Sequence, residues 1–164
     1  MMARTRGARR PRAAPTDVGG GMPVFRLALD GDGAAVRRAL DMAKDWLALR
    51  RVSDDVRDRV MIVLAEALNN VVEHALATDP GGRIDLTLRD AGRDVTMDIV
   101  DDGRAMPGLE PPRHAPRCVD QPRDTLPEGG FGWNLIHDIA RDVRYRRAGR
   151  LNLLHLRIPG TPAS

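Results

Sequence analysis

The sequence predicts an α+β fold: a two-layer sandwich in which helices cover one face of a mixed, mostly antiparallel sheet. Three observations lead there. Apolar residues alternate in short runs near the start, the middle and the end of the chain, as half-buried strands require. In three other segments they recur at helical spacing. The two patterns follow one another as strand, helix, helix, strand, strand, helix, strand, strand, and helices grouped on one side of a largely antiparallel sheet bury both sets of apolar faces.

Residues 23–29 alternate loosely and read as the first strand, punctuated by Asp30-Gly31-Asp32-Gly33. Val36, Leu40, Ala43 and Leu47 then keep helical spacing to about Arg51. Ser53-Asp54-Asp55 is an N-terminal capping signal. It opens a long helix expected over 54–77, with Val60, Leu64, Leu68, Val71 and Ala75 on its apolar side. At 100° per residue, Glu66, Asn70, Glu73 and His74 fall on the opposite side. Asp79-Pro80-Gly81-Gly82 stops it. Residues 84–88 and 95–99 alternate around Asp90-Ala91-Gly92 and predict a hairpin. Residues 103–127 are Pro, Arg and Gly with little periodicity, a length that in a small domain usually marks a lid or binding loop. Trp133, Ile136, Ile139, Ala140 and Val143 predict a third helix. Two last strands, near 143–147 and 151–158, flank a turn at Ala148-Gly149.

A chain of 164 residues suits one core, expected over 22–160. Residues 1–21 have almost nothing to bury and are expected to be a disordered basic tail, or to precede a true start at Met22. The formal net charge of +3 comes from that tail, which holds five arginines against Asp17. Without it the body is close to neutral, at about −1, and its aromatics are few, so a nucleic-acid surface is disfavoured. The single cysteine, Cys118, excludes an intramolecular disulfide and a Cys-based zinc site. His74 and His155 lack a second histidine at metal spacing. No apolar run approaches the roughly 18–20 residues of a membrane helix. The tail's arginines are not followed by the apolar segment of a secretory signal. The expected location is the cytoplasm, with no membrane contact.

Three segments carry chemistry. Glu66 and Asn70 stand at i and i+4 and so share one side of a helix. An Asn oxygen is a hard, neutral ligand suited to Mg²⁺, and Glu66 could orient or deprotonate a hydroxyl facing a terminal phosphate. A solvated helix face would look the same, but Asn69-Asn70 in mid-helix costs about 0.5 kcal/mol per residue against Ala. Asp101-Asp102-Gly103 ends a strand, where a carboxylate can accept from an exocyclic amine and glycine permits close backbone approach. Alone it is an ordinary Asp-Gly turn. Gly129-Gly130-Phe131-Gly132 leads into a helix, whose N-terminal amides bind phosphate. No P-loop occurs anywhere in the chain.

In this order the three segments resemble the gyrase/histidine-kinase-type (GHKL) ATPase superfamily with its Bergerat fold. Glu66-x-x-x-Asn70 looks like its asparagine box, Asp101-x-Gly103 its first glycine box and Gly130-x-Gly132 its second. Size and order look more specifically like the anti-sigma factor serine/threonine kinases of bacterial partner-switching systems, over about residues 23–158. The resemblance implies ATP and Mg²⁺, with Glu66 as catalytic base, Asn70 as metal ligand and Asp101 as adenine reader. Gly103 and the adjoining Ala105 would shape the base pocket, and Gly130, Phe131 and Gly132 would form the lid hinge near the phosphates. It also implies an anti-sigma factor antagonist as protein substrate and a sigma factor as partner, and it allows a homodimer. The chain departs from the family at three places. Ala105 replaces a second glycine. The last strand reads Leu151-Asn152-Leu153-Leu154 where a Thr is common. Glu128 stands where a cation would help, leaving Arg113, Arg117 or Arg123 to compensate. A non-catalytic ATP-binding switch module therefore competes with the kinase reading: Glu66 favours the kinase, Ala105 and Glu128 the module. A sensor histidine kinase's catalytic domain would need its phospho-accepting helix on another protein.

Overall fold

The computed structural model describes residues 22–79, 81–112 and 131–160. The expectations for 1–21, for the rest of the loop to 127 with Cys118 and its arginines, and for Glu128, Gly129 and Gly130 fall outside the described residues. Five strands form one sheet: β1 (Val24–Asp30), β2 (Arg83–Asp90), β3 (Asp94–Asp101), β4 (Asp142–Ala148) and β5 (Leu151–Pro159), in spatial order β1-β2-β3-β5-β4. Every pairing is antiparallel. Three helices, α1 (Gly33–Leu49), α2 (Asp54–Asn70) and α3 (Phe131–Ile139), pack onto its apolar side, giving the expected two layers.

The sheet register explains where the core stops. Reading across the strands on the covered face, one row is Phe25, Leu88, Met97, Leu156 and Val143, and the next is Leu27, Leu86, Ile99, Leu154 and Tyr145. The third row is Leu29, Ile84, Asp101, Asn152 and Arg147. Because side chains alternate strictly along a strand, Asp101 continues the inward series Val95, Met97, Ile99. Asn152 likewise begins the series Leu154, Leu156, Ile158. The core face thus turns polar at one end of the sheet. Asp101 and Asn152 are the two buried polar residues among those described.

The helices fit by size. Asp32 caps α1 by accepting from the Ala35 backbone N–H at 2.7 Å, and the buried Ala35, Ala39 and Ala43 let α1 lie close. Phe25 and Trp46 pack with ring centroids 5.9 Å apart. Apolar Val60, Val63, Leu64, Ala67 and Leu68 bury α2 between α1 and α3.

Two boundaries depart from expectation. The long helix is α-helical only to Asn70; Val71–Ala75 is a π-turn, closed by Leu76 N–H donating to the Val71 carbonyl at 2.9 Å. The third helix begins at Phe131 and ends at Ile139, because the Arg141 N–H already pairs with the Arg157 carbonyl of β5 at 2.8 Å. No helix among the described residues is long and apolar enough to cross a membrane.

Candidate functional site

The polar row of the sheet meets the end of α2 around a cavity of about 440 Å³, within the usual range for small-molecule sites. Asn70, Asp101 and Ala105 line it, as do His74, Trp133 and Tyr145. A second hollow, of about 520 Å³ between the α1–α2 link and the β2–β3 turn, holds none of the motif residues.

Asp101 is buried and tied into the fold by hydrogen bonds. Its Oδ1 accepts from the Asn152 Nδ2 at 2.7 Å and from the Gly103 N–H at 2.9 Å. Both bonds fall on one oxygen, leaving Oδ2 as the acceptor open to another partner. Burial pushes the Asp101 carboxyl above the ordinary carboxylate range, against the pull of the Asn152 and Gly103 hydrogen bonds; Asp102 adds to the rise and Arg147 opposes it. The Asp102 Oδ1 accepts the Arg83 N–H at 2.8 Å and pins the start of the loop to β2.

Gly103 does not line the cavity. It packs against the π-turn: a Cβ there would stand 2.5 Å from the Ala75 carbonyl oxygen. The next residue exploits this approach, since the Arg104 N–H donates to that same carbonyl at 2.8 Å. The π-turn follows Asn70 directly, a location typical of π-bulges near functional sites. The described part of the loop continues along the cavity through a 3₁₀ turn, Pro107–Leu109. At Pro112 its carbonyl meets the His137 Nε2 of α3 at 2.8 Å.

On the helix side the polar groups are uncommitted. Among the described residues the Asn70 Nδ2 is buried without a hydrogen-bond partner, and no hydrogen bond or ion pair engages Glu66. Glu66 is not among the lining residues; it lies beside Gly132 in the first turn of α3. A Cβ on Gly132 would collide with the Glu66 Oε2. Glycine inside a helix costs about 0.5–1 kcal/mol against Ala, and here it leaves room for a carboxylate. Phe131 is the first residue of α3.

Sequence reasoning met Asn152 only as a departure from the family's pattern and gave neither it nor Tyr145 a role. The Asn152 Oδ1 accepts from the Tyr145 hydroxyl at 2.5 Å and from an Arg147 guanidinium N–H at 2.6 Å. Its Nδ2 also donates to the Arg104 carbonyl at 2.9 Å. The Tyr145 oxygen in turn accepts the Met106 N–H at 3.0 Å. Strand alternation alone places Asn152 on the core face; only the pairing of β3 with β5 sets it opposite Asp101.

A family model described as a histidine kinase-like ATPase domain matches residues 29–158. The serine/threonine-protein kinase BtrW of Bordetella bronchiseptica is 33% identical to this chain over 121 residues, 73% of this chain and 83% of that protein. Among solved structures, the RsbU and RsbW domains of Rv1364c from Mycobacterium tuberculosis align with 87% of this chain at a TM-score of 0.54 and 19% identity. This chain spans 35% of that one, and the likeness is one of fold.

Proposed function

The chain belongs to the histidine kinase-like ATPase domain family, and on that premise we propose that it is an ATP-dependent protein serine/threonine kinase of a partner-switching system. Its protein substrate is a small anti-sigma factor antagonist, and it holds a sigma factor when that antagonist is absent or phosphorylated. The similarity to a serine/threonine-protein kinase over most of both chains supports this reading.

In the proposed mechanism the base of ATP enters the cavity with its exocyclic amine on the Asp101 Oδ2. Ala105, with the loop that Gly103 lets approach the π-turn after α2, forms the wall beside the base. Asn70 is suited to Mg²⁺ through its Oδ1: its side chain lines the cavity, and its Nδ2, a donor without a partner among the described residues, would be free to meet a phosphate oxygen. Mg²⁺ takes oxygen ligands and keeps several waters beside nucleotide phosphates, so one neutral side-chain oxygen such as that of Asn70 would suffice to hold it there. When bound, the metal supplies charge neutralisation to those phosphates. Glu66 takes the proton from a substrate Ser or Thr hydroxyl as its oxygen bonds to the γ-phosphorus and the bond to ADP breaks. Phe131 and Gly132, in the first turn of α3, are assigned with Gly130 before them to the lid hinge near the phosphates.

The observation that favours an enzyme over a binding module is the Glu66 carboxylate, given space by Gly132 and without a hydrogen bond or ion pair among the described residues. Incubating the protein with γ-labelled ATP and an antagonist domain tests it. Transfer of label to a Ser or Thr of the antagonist is expected. ATP-dependent binding of the antagonist without transfer would instead establish a non-catalytic switch.

A further inference from the structure

We propose that Asn152 is the positioning residue that sets base specificity, by fixing which oxygen of Asp101 faces the cavity and by stapling the loop around Ala105. The inference rests on the reading of Asp101 as the acceptor for an exocyclic amine.

A primary amide has two donor hydrogens and two acceptor lone pairs. Those of Asn152 are all engaged within the protein, by Asp101 and the Arg104 carbonyl on the nitrogen side and by Tyr145 and Arg147 on the oxygen side. It lines the cavity yet has no valence left for a ligand. Its orientation is also determined. Turned over, the amide would set its oxygen against the Asp101 carboxylate and the Arg104 carbonyl, and its NH₂ against the Arg147 guanidinium. Only one orientation is chemically allowed, and in it Asp101 receives a donor on Oδ1 and keeps Oδ2 for the base.

The same side chain works on the loop. Asn152 holds the Arg104 carbonyl, immediately before Ala105. Tyr145 holds the Met106 N–H, immediately after it, and Arg147 takes the Gly103 carbonyl at 2.8 Å. Three residues of the β4–β5 hairpin therefore fix the backbone on both sides of a position where the resembled family carries glycine. Adenine presents an amine donor at C6 and guanine a carbonyl acceptor. An Asp101 Oδ2 held in place rewards the first and repels the second.

The test compares affinities of the 164-residue chain for ATP, GTP and purine riboside triphosphate, which lacks the amine, at fixed Mg²⁺ and salt. In Asn152→Leu the affinity for ATP should fall about tenfold or more, as expected for a misplaced charge-assisted hydrogen bond, while that for purine riboside triphosphate stays nearly level. Tyr145→Phe, a milder change that keeps the ring and removes only the hydroxyl bonded to Asn152 and Met106, should move the ratio the same way by a smaller factor. Asn152→Gln, with the same amide on a longer stem, should recover less than half of the loss. Equal losses for all three nucleotides would mark Asn152 as merely structural and overturn the proposal. Selectivity that vanishes in Asp101→Ala but persists in both Asn152→Leu and Tyr145→Phe would overturn the positioning role while leaving the Asp101 reading intact. A wild type with no preference for ATP over purine riboside triphosphate would overturn both.

Discussion

The two sides of the cavity are finished to different degrees. On the sheet side, Asp101, Asn152, Tyr145 and Arg147 form a closed hydrogen-bond network that also fastens the loop to Met106. On the helix side, among the described residues, the Asn70 amide nitrogen is buried without a partner and Glu66 engages no donor. A buried polar group left unpaired costs about 1–3 kcal/mol. The sheet side is thus organised before any ligand arrives, whereas the helix side holds groups whose partners a nucleotide, its metal and a protein hydroxyl would supply. Recognition can be rigid where it must discriminate, while the reacting half stays free to bind its charges only when they come.

The contrast is broken most severely at Glu66. Glu66→Gln keeps shape and helix, so ATP affinity should hold within about twofold while single-turnover phosphotransfer falls about 10²–10⁴-fold, the usual contribution of a positioned base. Transfer at the wild-type rate would remove Glu66 from the mechanism. On the other side, Asp101→Asn should weaken ATP about 10–100-fold through the lost charge-assisted bond with little effect on GTP, measurable by titration calorimetry. Gly132→Ala sharpens the comparison. The group it would strike is the tip of a flexible side chain, so thermal stability should change by under about 1 kcal/mol, while displacing Glu66 slows transfer about tenfold, less than its removal. Asn70→Ala should weaken ATP in Mg²⁺ and matter little in excess chelator; equal loss in both would make Asn70 structural.

The smallest effect is in pH. The folded state raises the Asp101 pKa, so it binds that proton more tightly than the unfolded chain does. The nucleotide-free protein should therefore lose stability as pH rises from the ordinary carboxylate value to the raised one. ATP affinity should move oppositely, strengthening over the same interval as the acceptor ionises. Asp98, three residues earlier and on the uncovered face, behaves in the reverse sense. Burial there is outweighed by hydrogen bonds from His155 and Arg89 and by their charges, and its pKa is lowered. Its contribution to stability is present above the ordinary carboxylate value and is lost as pH falls through the lowered one. Denaturation curves of Asp101→Asn and Asp98→Asn across acidic pH would separate the two.

Much of the fold was legible because its signals are local. The β2–β3 hairpin, the cap of α1 and the start of α2 each sit within a few residues of their cause. The motifs at Asn70 and Asp101 were legible too, and the structure brings both to one cavity. The network around Asp101 was not, since Asn152 lies 51 positions away and reaches it only through strand pairing. The π-turn was hidden for a similar reason: helical periodicity reads straight through 71–75, and what it misses is the approach of Gly103 to Ala75 from another part of the chain. Gly132 was read as part of the lid hinge near the phosphates; that it also makes room for the Glu66 carboxylate was not legible, because nothing near it in sequence announces that side chain.

That π-turn also acts as a phase adjuster. Upstream of it, α2 is indexed to the cavity through Asn70. Downstream, Leu76 is indexed to a slot between Gly31 and Gly82, where a Cβ on either glycine would strike its methyl groups. A regular α-helix advances 100° per residue, so it could satisfy one of these two alignments but not both with the present spacing; the wider turn absorbs the difference. The length of the segment between Asn70 and Leu76 is therefore constrained more tightly than its composition. Substitutions on its solvent side leave the gearing intact, whereas removing a single residue would force the chain to give up either the alignment of Asn70 or the seat of Leu76.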